Sequence, residues 1–111
     1  MRQYLKSKIH MATVTDANPD YIGSISIDAA LMEKSGLDEN ELVHVWNVSN
    51  GERIETYVLT GKEGEITLNG AAARKFMKGD KVIICSFEIS GIAPKPRAVL
   101  VDEKNNFARY L

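Results

Sequence analysis

The chain has 111 residues, 44% of them apolar and 26% charged, with a formal net charge of -1. This length fits one domain, residues 1-111, burying about two thirds of the surface it exposes when unfolded. The balanced charge argues against a nucleic-acid partner, and no apolar run or basic leader of the kind used for membrane spanning or secretion is found, so no membrane partner and a cytoplasmic location are expected.

Short β-like runs dominate, each closed by a turn signal, and no internal repeat appears. Residues 3-15 alternate loosely through Tyr4, Ile9, Met11 and Val14, and Ile25 with Ile27 forms a second extended run. Asp28 is placed to cap a two-turn helix from Ala29 to Ser35, which Gly36 can close in the left-handed conformation. The runs Leu42 to Val48 and Arg53 to Leu59 flank Asn50-Gly51, a pair that signals a tight hairpin turn. Asn69 to Phe76 reads as a short helix on small residues, and Gly79-Asp80 turns the chain into an apolar strand from Lys81 to Phe87. That strand contains Cys85, the only cysteine, which reads as buried and cannot form an internal disulfide. Pro94 and Pro96 mark a loop before a last strand near Ala98 to Val101. His10 and His44 lack the spacing and cysteine company of a zinc or iron site, so no metal is expected. These patterns predict a mostly β fold, a small barrel or sandwich.

The bond between Gly23 and Ser24 has a specific chemical potential. A serine hydroxyl held over the preceding carbonyl can attack it and turn the amide into an ester, and elimination then leaves a dehydroalanine that hydrolyses to a pyruvoyl group. Glycine suits the upstream position because without a Cβ it adopts backbone angles closed to other residues. The ordinary alternative is a turn serine bonded to its own backbone.

Further segments accompany this pair: Lys6-Ser7-Lys8-Ile9-His10, then Ala12 to Thr15, and Tyr21-x-Gly23-Ser24-x-x-Ile27-Asp28. Downstream come Trp46-Asn47-Val48-Ser49-Asn50-Gly51-x-Arg53 with Thr56-Tyr57, then Asn69-Gly70-Ala71-Ala72-Ala73, then Gly79-Asp80-x-Val82-Ile83-Ile84. In this order and spacing, from residue 3 to about residue 87, the chain resembles the bacterial aspartate 1-decarboxylases, pyruvoyl enzymes that make β-alanine for pantothenate synthesis. The resemblance is less distinct over the last two dozen residues. It implies a six-stranded double-psi β-barrel with short helices, a topology beyond the reach of periodicity.

The resemblance also implies roles. Cleavage between residues 23 and 24 would give a β-chain of residues 1-23 and an α-chain of residues 24-111, with Ser24 becoming the pyruvoyl group. Such a cofactor supplies the electron sink that amino-acid decarboxylation needs, without metal or pyridoxal phosphate. Tyr57 is implied as the proton donor, suited to it because a phenol stays protonated at neutral pH. Thr56 resembles the family threonine that hydrogen-bonds the Gly23 carbonyl during processing. Strand alternation puts Arg53 and Tyr57 on one face and Thr56 on the other, so one regular strand cannot easily aim all three at a single pocket. Either the strand is irregular here or the site lies between subunits, and the resemblance, which implies tetramers with sites at subunit boundaries, favours the second.

Arg53 and Lys8 are candidates for the two carboxylates of L-aspartate. A strong clamp on the departing carboxylate would stabilise the ground state, which favours Arg53 for the retained one and leaves Lys8 for the other end or for orientation. His10, two residues beyond Lys8 on the same face of a regular strand, could move protons in processing or orient substrate, or could be structural. Asn69, Gly70, Ala71 and Ala72 form a helix start whose free N-H groups could bind a carboxylate or oxyanion, although such starts also serve close packing. Trp46, Tyr21 and Ile83 read as pocket wall or core, and His44 as structural.

The expected activity is decarboxylation of L-aspartate to β-alanine by a self-processed homotetramer, with a maturation helper protein in some family members. The competing expectations are the same cofactor acting on glutamate or another small acidic amino acid, and an uncleaved β-barrel serving as a binding or assembly module.

Overall fold

The computed structural model describes all residues, 1-111. Nine strands form in chain order: β1 (Arg2–Thr13), β2 (Asp16–Asn18), β3 (Ser24–Asp28), β4 (Leu42–Asn47), β5 (Arg53–Gly61), β6 (Ile66–Asn69), β7 (Lys81–Ser90), β8 (Arg97–Val101) and β9 (Phe107–Tyr110). A helix, α1 (Ala29–Ser35), follows β3, and a 3₁₀ helix, Gly70–Lys75, follows β6. The strands hydrogen-bond in the order β2-β6-β3-β5-β4-β7-β1-β8-β9. Parallel pairs (β1 with β8, β2 with β6, β3 with β5) are interleaved with antiparallel ones. The fold is mostly β and fits a small double-psi β-barrel type. The strands beyond the expected six include short pieces: β2 has three residues and β9 four, at the two ends of the order.

Alternation drives the assembly. Ile9, Ile84, Val45 and Ile54 lie in one cross-strand row, and Ile9, Ile84 and Val45 are fully buried with Ile25, Ile27, Val43, Val58, Ile66 and Leu68. Each such side chain contributes about 1.5–3 kcal/mol on burial. The looseness of alternation in β1 has a local cause: its pairing with β7 shifts between Ile9 and Ala12, and Met11 sits there at φ 63°. The extra residue reverses which parity points inward. Ala12 and Val14 are therefore buried, while Met11, expected on the apolar face, is only half-buried.

The helix predicted at Ala29 to Ser35 forms over those residues. The Asp28 carboxylate accepts from Ala30 N at 2.7 Å, and Gly36 closes the helix at φ 77°. The Asp28 carboxylate also accepts from Gly64 N at 2.7 Å, tying the helix start to the turn between β5 and β6. The β4–β5 hairpin also forms, but its connection is longer than a tight Asn-Gly turn: residues 48–52 link the strands, closed by Gly51 N to Asn47 O and Asn47 N to Glu52 O. Asn50 caps this loop by accepting from Glu52 N and donating to Lys75 O. The predicted helix at Asn69 is a 3₁₀ helix that begins one residue later, because Asn69 is still paired in β6.

Candidate functional site

The centre of the site is the first residue of β3. Ile25 and Ile27 point into the core, so Ser24 and Ser26 point to the opposite face of the strand. Ser24 is fully buried all the same, because β6 lies alongside with Asn69 directly opposite. The Asn69 side-chain amide donates from Nδ2 to Ser24 Oγ at 3.0 Å and to Ser26 Oγ at 3.2 Å.

The upstream peptide is held from the other side by the start of the 3₁₀ helix. Gly70 has φ 65°, and a Cβ on it would stand 2.6 Å from Gly23 Cα, 2.7 Å from Gly23 N and 2.9 Å from Tyr21 O. Backbone thus packs on backbone at the Gly23-Ser24 bond, an approach only glycine permits at residue 70. Gly70 is buried, Ala72 half-buried and Ala71 exposed.

Strand β5 flanks β3 on its other side, in parallel register with Val58 beside Ile25. The paired register begins there, and Tyr57 and Thr56 precede Val58 on β5 as Ser24 and Gly23 precede Ile25. β5 pairs with β4 without a register shift, Thr56 opposite buried Val43 and Tyr57 opposite exposed Leu42. The strand is therefore regular here, and Tyr57 and Thr56 leave it on opposite faces. Tyr57 shares the outer face with Arg53.

Arg53 lies four residues from Tyr57, about 13 Å along the strand. Its guanidinium stacks 4.6 Å from the ring centre of Trp46, its cross-strand partner. Both border an open cleft of about 530 Å³ that also takes in Gln3, His44, Glu55 and Phe87. His44 meets Phe87 edge to face at 5.4 Å between ring centres, so it is part of this wall.

Lys8 is further away. It pairs with Cys85 on β7, which pairs with His44 on β4, which pairs with Glu55 on β5. Three interstrand steps place Lys8 about 14 Å from β5 across the sheet. His10 and Lys8 occupy alternate positions opposite Leu100 and Ala98 of β8. Desolvation, and then the Lys8 charge, lower the His10 pKa from its ordinary 6.5, and His10 Nδ1 is buried without a hydrogen-bond partner. Burial pushes the Cys85 thiol up, opposed by the same Lys8 charge. The chain's two salt bridges, Lys6 with Glu41 and Lys75 with Glu52, involve neither Lys8 nor Arg53.

Within one chain the predicted residues therefore fall into two groups. Gly23, Ser24, Asn69 and Gly70 are in contact, with Thr56 and Tyr57 on the adjoining strand. Lys8 with His10, and Arg53 with Trp46, stand apart from them. Tyr21, read as wall or core, is half-exposed at 54%. Sequence reasoning missed Ser26, whose only signal was its alternation with Ser24, and the closeness of Gly70 to Gly23, which had none. No three His, Cys, Asp or Glu side chains cluster as metal ligands.

Comparison with known proteins identifies the family. The family profile described as aspartate decarboxylase matches residues 1–108. An aspartate 1-decarboxylase of Syntrophus aciditrophicus is 56% identical over 110 residues, covering 94% of this chain and 95% of the relative. Those of Thermotoga sp. (strain RQ2) and Caldicellulosiruptor bescii are 52% and 51% identical, each over 96% of this chain and over 95% and 88% of their own lengths. Matched over nearly its whole length, the chain belongs to the aspartate decarboxylase family.

Proposed function

We propose that the protein removes the α-carboxylate of L-aspartate to give β-alanine and CO₂, for pantothenate biosynthesis, using a pyruvoyl group made from its own Ser24. The observation that carries this is a buried serine hydroxyl, following a glycine, that accepts a hydrogen bond from an amide in a chain of this family. A turn serine would be solvated or bonded to its own backbone.

Maturation follows from the groups around the bond. Ser24 Oγ attacks the Gly23 carbonyl carbon, the C-N bond breaks, and the hydroxyl proton ends on the released nitrogen. The developing charge on Oγ is lowered by the Asn69 N-H. Thr56, on the strand beside β3, is assigned to the carbonyl oxygen, and His10, which stands apart within one chain, to proton movement in processing from a neighbouring copy. Loss of the Ser24 Cα proton then breaks the Cβ-O bond, leaving Oγ in the new Gly23 carboxylate, and water displaces the nitrogen of residue 24 as ammonia. Chains of residues 1-23 and 24-111 result.

A pyruvoyl group at residue 24 would supply the electron sink for loss of CO₂ once its keto carbon had condensed with the substrate amine and released water. Tyr57, on the strand beside β3, is assigned the return of a proton to the substrate carbon. The Arg53 guanidinium is assigned to the retained side-chain carboxylate, which its planar fork fits bidentately, and Lys8 to the other end of the substrate. The backbone from Asn69 to Ala72 forms the floor behind residue 24 and is assigned to orienting the substrate.

The backbone separations within one chain, about 13 Å from Arg53 to Tyr57 and about 14 Å from Lys8 to β5, spread these residues beyond the neighbourhood of Ser24. They favour a homotetramer in which neighbouring copies complete the site at each Ser24. Exposed Ile22, Leu42, Phe87 and Ile89, at 76%, 57%, 41% and 65%, are apolar surface for such contacts. No helix is long and apolar enough to cross a membrane, in keeping with the proposed cytoplasmic setting.

Mass spectrometry with an amino-acid turnover assay tests the reading. The active protein should resolve into two fragments, the larger beginning with a ketone, and should release β-alanine from aspartate faster than it decarboxylates glutamate. Ser24→Ala should stay a single 12.3 kDa chain without activity. Turnover by that intact variant would refute the proposal.

A further inference from the structure

We infer that Ser26 is a positioning residue for maturation, holding the Asn69 side chain in place against Ser24. The inference rests on the self-cleavage reading above and adds a residue to it.

Asn69 is the only side chain that hydrogen-bonds Ser24 Oγ. It begins as an ambiguous partner: a carboxamide can turn its NH₂ or its oxygen toward a hydroxyl, and the two choices have opposite chemical effects. With nitrogen forward, Asn69 donates to Oγ and favours the oxyanion that attacks Gly23. With oxygen forward, it accepts the Ser24 proton and holds the hydroxyl neutral. Asn69 has no other local anchor, because as the residue preceding the 3₁₀ helix it makes no side-chain capping bond.

The second bond of the same nitrogen anchors the side chain at the nucleophile. Nδ2 also donates to Ser26 Oγ at 3.2 Å, so both of its protons are directed at the two serines of β3. The geometry comes from the sheet: Ser24 lies directly opposite Asn69, and Ser26 is its diagonal neighbour, opposite Thr67. Ser26 is half-buried and faces away from the core, so its hydroxyl is not needed for packing. Removing it deletes the second anchor of the Asn69 side chain and leaves that side chain freer to swing away from Ser24.

The bond exists only before cleavage. Oγ leaves residue 24 with the Gly23 carboxylate, so Ser26 should govern how fast the chain matures rather than how fast the mature enzyme turns over.

The test follows the intact and cleaved masses with time in the full-length protein. Ser26→Ala should slow cleavage by about threefold to tenfold, the range for one neutral hydrogen bond. Ser26→Thr, which keeps the hydroxyl, should restore the rate, and turnover per cleaved chain should match wild type in both. In an Asn69→Ala background, Ser26→Ala should slow cleavage no further, because the group it acts through is gone. Equal slowing in both backgrounds, or Ser26→Ala cleaving at the wild-type rate, would overturn the inference while leaving self-cleavage intact. A wild-type chain that decarboxylates aspartate without cleaving would instead overturn the self-cleavage reading and this inference together.

Discussion

Gly70→Ala puts the tightest contact of the site under strain. Alanine at φ 65° is in the left-handed region, which costs about 1–2 kcal/mol relative to glycine. Its Cβ would then stand 2.6, 2.7 and 2.9 Å from three backbone atoms of Gly23 and Tyr21, well inside contact distance. Backbone cannot swing away as a side-chain tip can, so the segment 21–23 must move by roughly 1 Å, at an overpacking cost of about 1–3 kcal/mol. Together these predict a loss of about 2–5 kcal/mol, a fall in melting temperature of about 10–20 °C. The displacement falls on Gly23, the acyl side of the scissile bond, while Ser24 stays pinned by Asn69. Cleavage should therefore suffer more than stability accounts for: at a temperature where the variant is fully folded by circular dichroism, maturation should slow by at least about 100-fold, since misplacement by about 1 Å costs that much. A variant melting within about 2 °C of wild type and cleaving normally would refute the claim that backbone contact at residue 70 sets the geometry of the bond.

Two further predictions concern the frame around the site. Asp28→Ala removes the helix cap from Ala30 and leaves the half-buried Gly64 N-H without its acceptor, so denaturant titration should show a loss of about 1–3 kcal/mol. His10 supplies a pH dependence. Its folded-state pKa lies below the ordinary 6.5, so the unfolded chain binds more protons as pH falls through that value. The contribution of neutral His10 to stability is complete above about pH 6.5 and declines below it until the lowered folded pKa is reached. Melting temperatures of wild type and His10→Asn between pH 7.5 and 5 should converge as the pH falls, and parallel curves would count against the assignment.

How much of this was legible beforehand depended on the range of the interactions. α1 could be read because its cap, apolar positions and closing glycine are all local, and the hairpin from β4 to β5 for the same reason. β6 was not seen. Its four residues, Ile66 to Asn69, alternate apolar and polar, but the run is too short to mark a strand by itself, and it exists by pairing with β3 and β2, about 40 to 50 residues earlier in the chain. Without β6, Asn69 looked like part of a helix start rather than the end of a strand opposite Ser24. Its chemistry changes with that placement, from a backbone donor at a helix terminus to a side-chain amide on the nucleophile.

The site residues divide in the same way. Ser24, Tyr57 and Thr56 owe their nearness to the parallel register of β3 and β5, and Ser26 and Gly70 owe theirs to β6, none of which can be derived from spacing along the chain. Alternation did correctly place Tyr57 and Thr56 on opposite faces, and the regular pairing of β5 excludes a local irregularity as the way to reconcile them. Beside a site shared between subunits, the proposed roles divide the labour by stage: Thr56 would act at the Gly23 carbonyl before cleavage, and Tyr57 at substrate after it. A regular strand between them is then an advantage, because it keeps the phenol away from the carbonyl whose attack it must not obstruct. Thr56→Val should accordingly block maturation, whereas Tyr57→Phe should mature and then fail in turnover, a split readable from masses and β-alanine release on the same samples. Loss of cleavage in both variants would mean that the two faces serve one step.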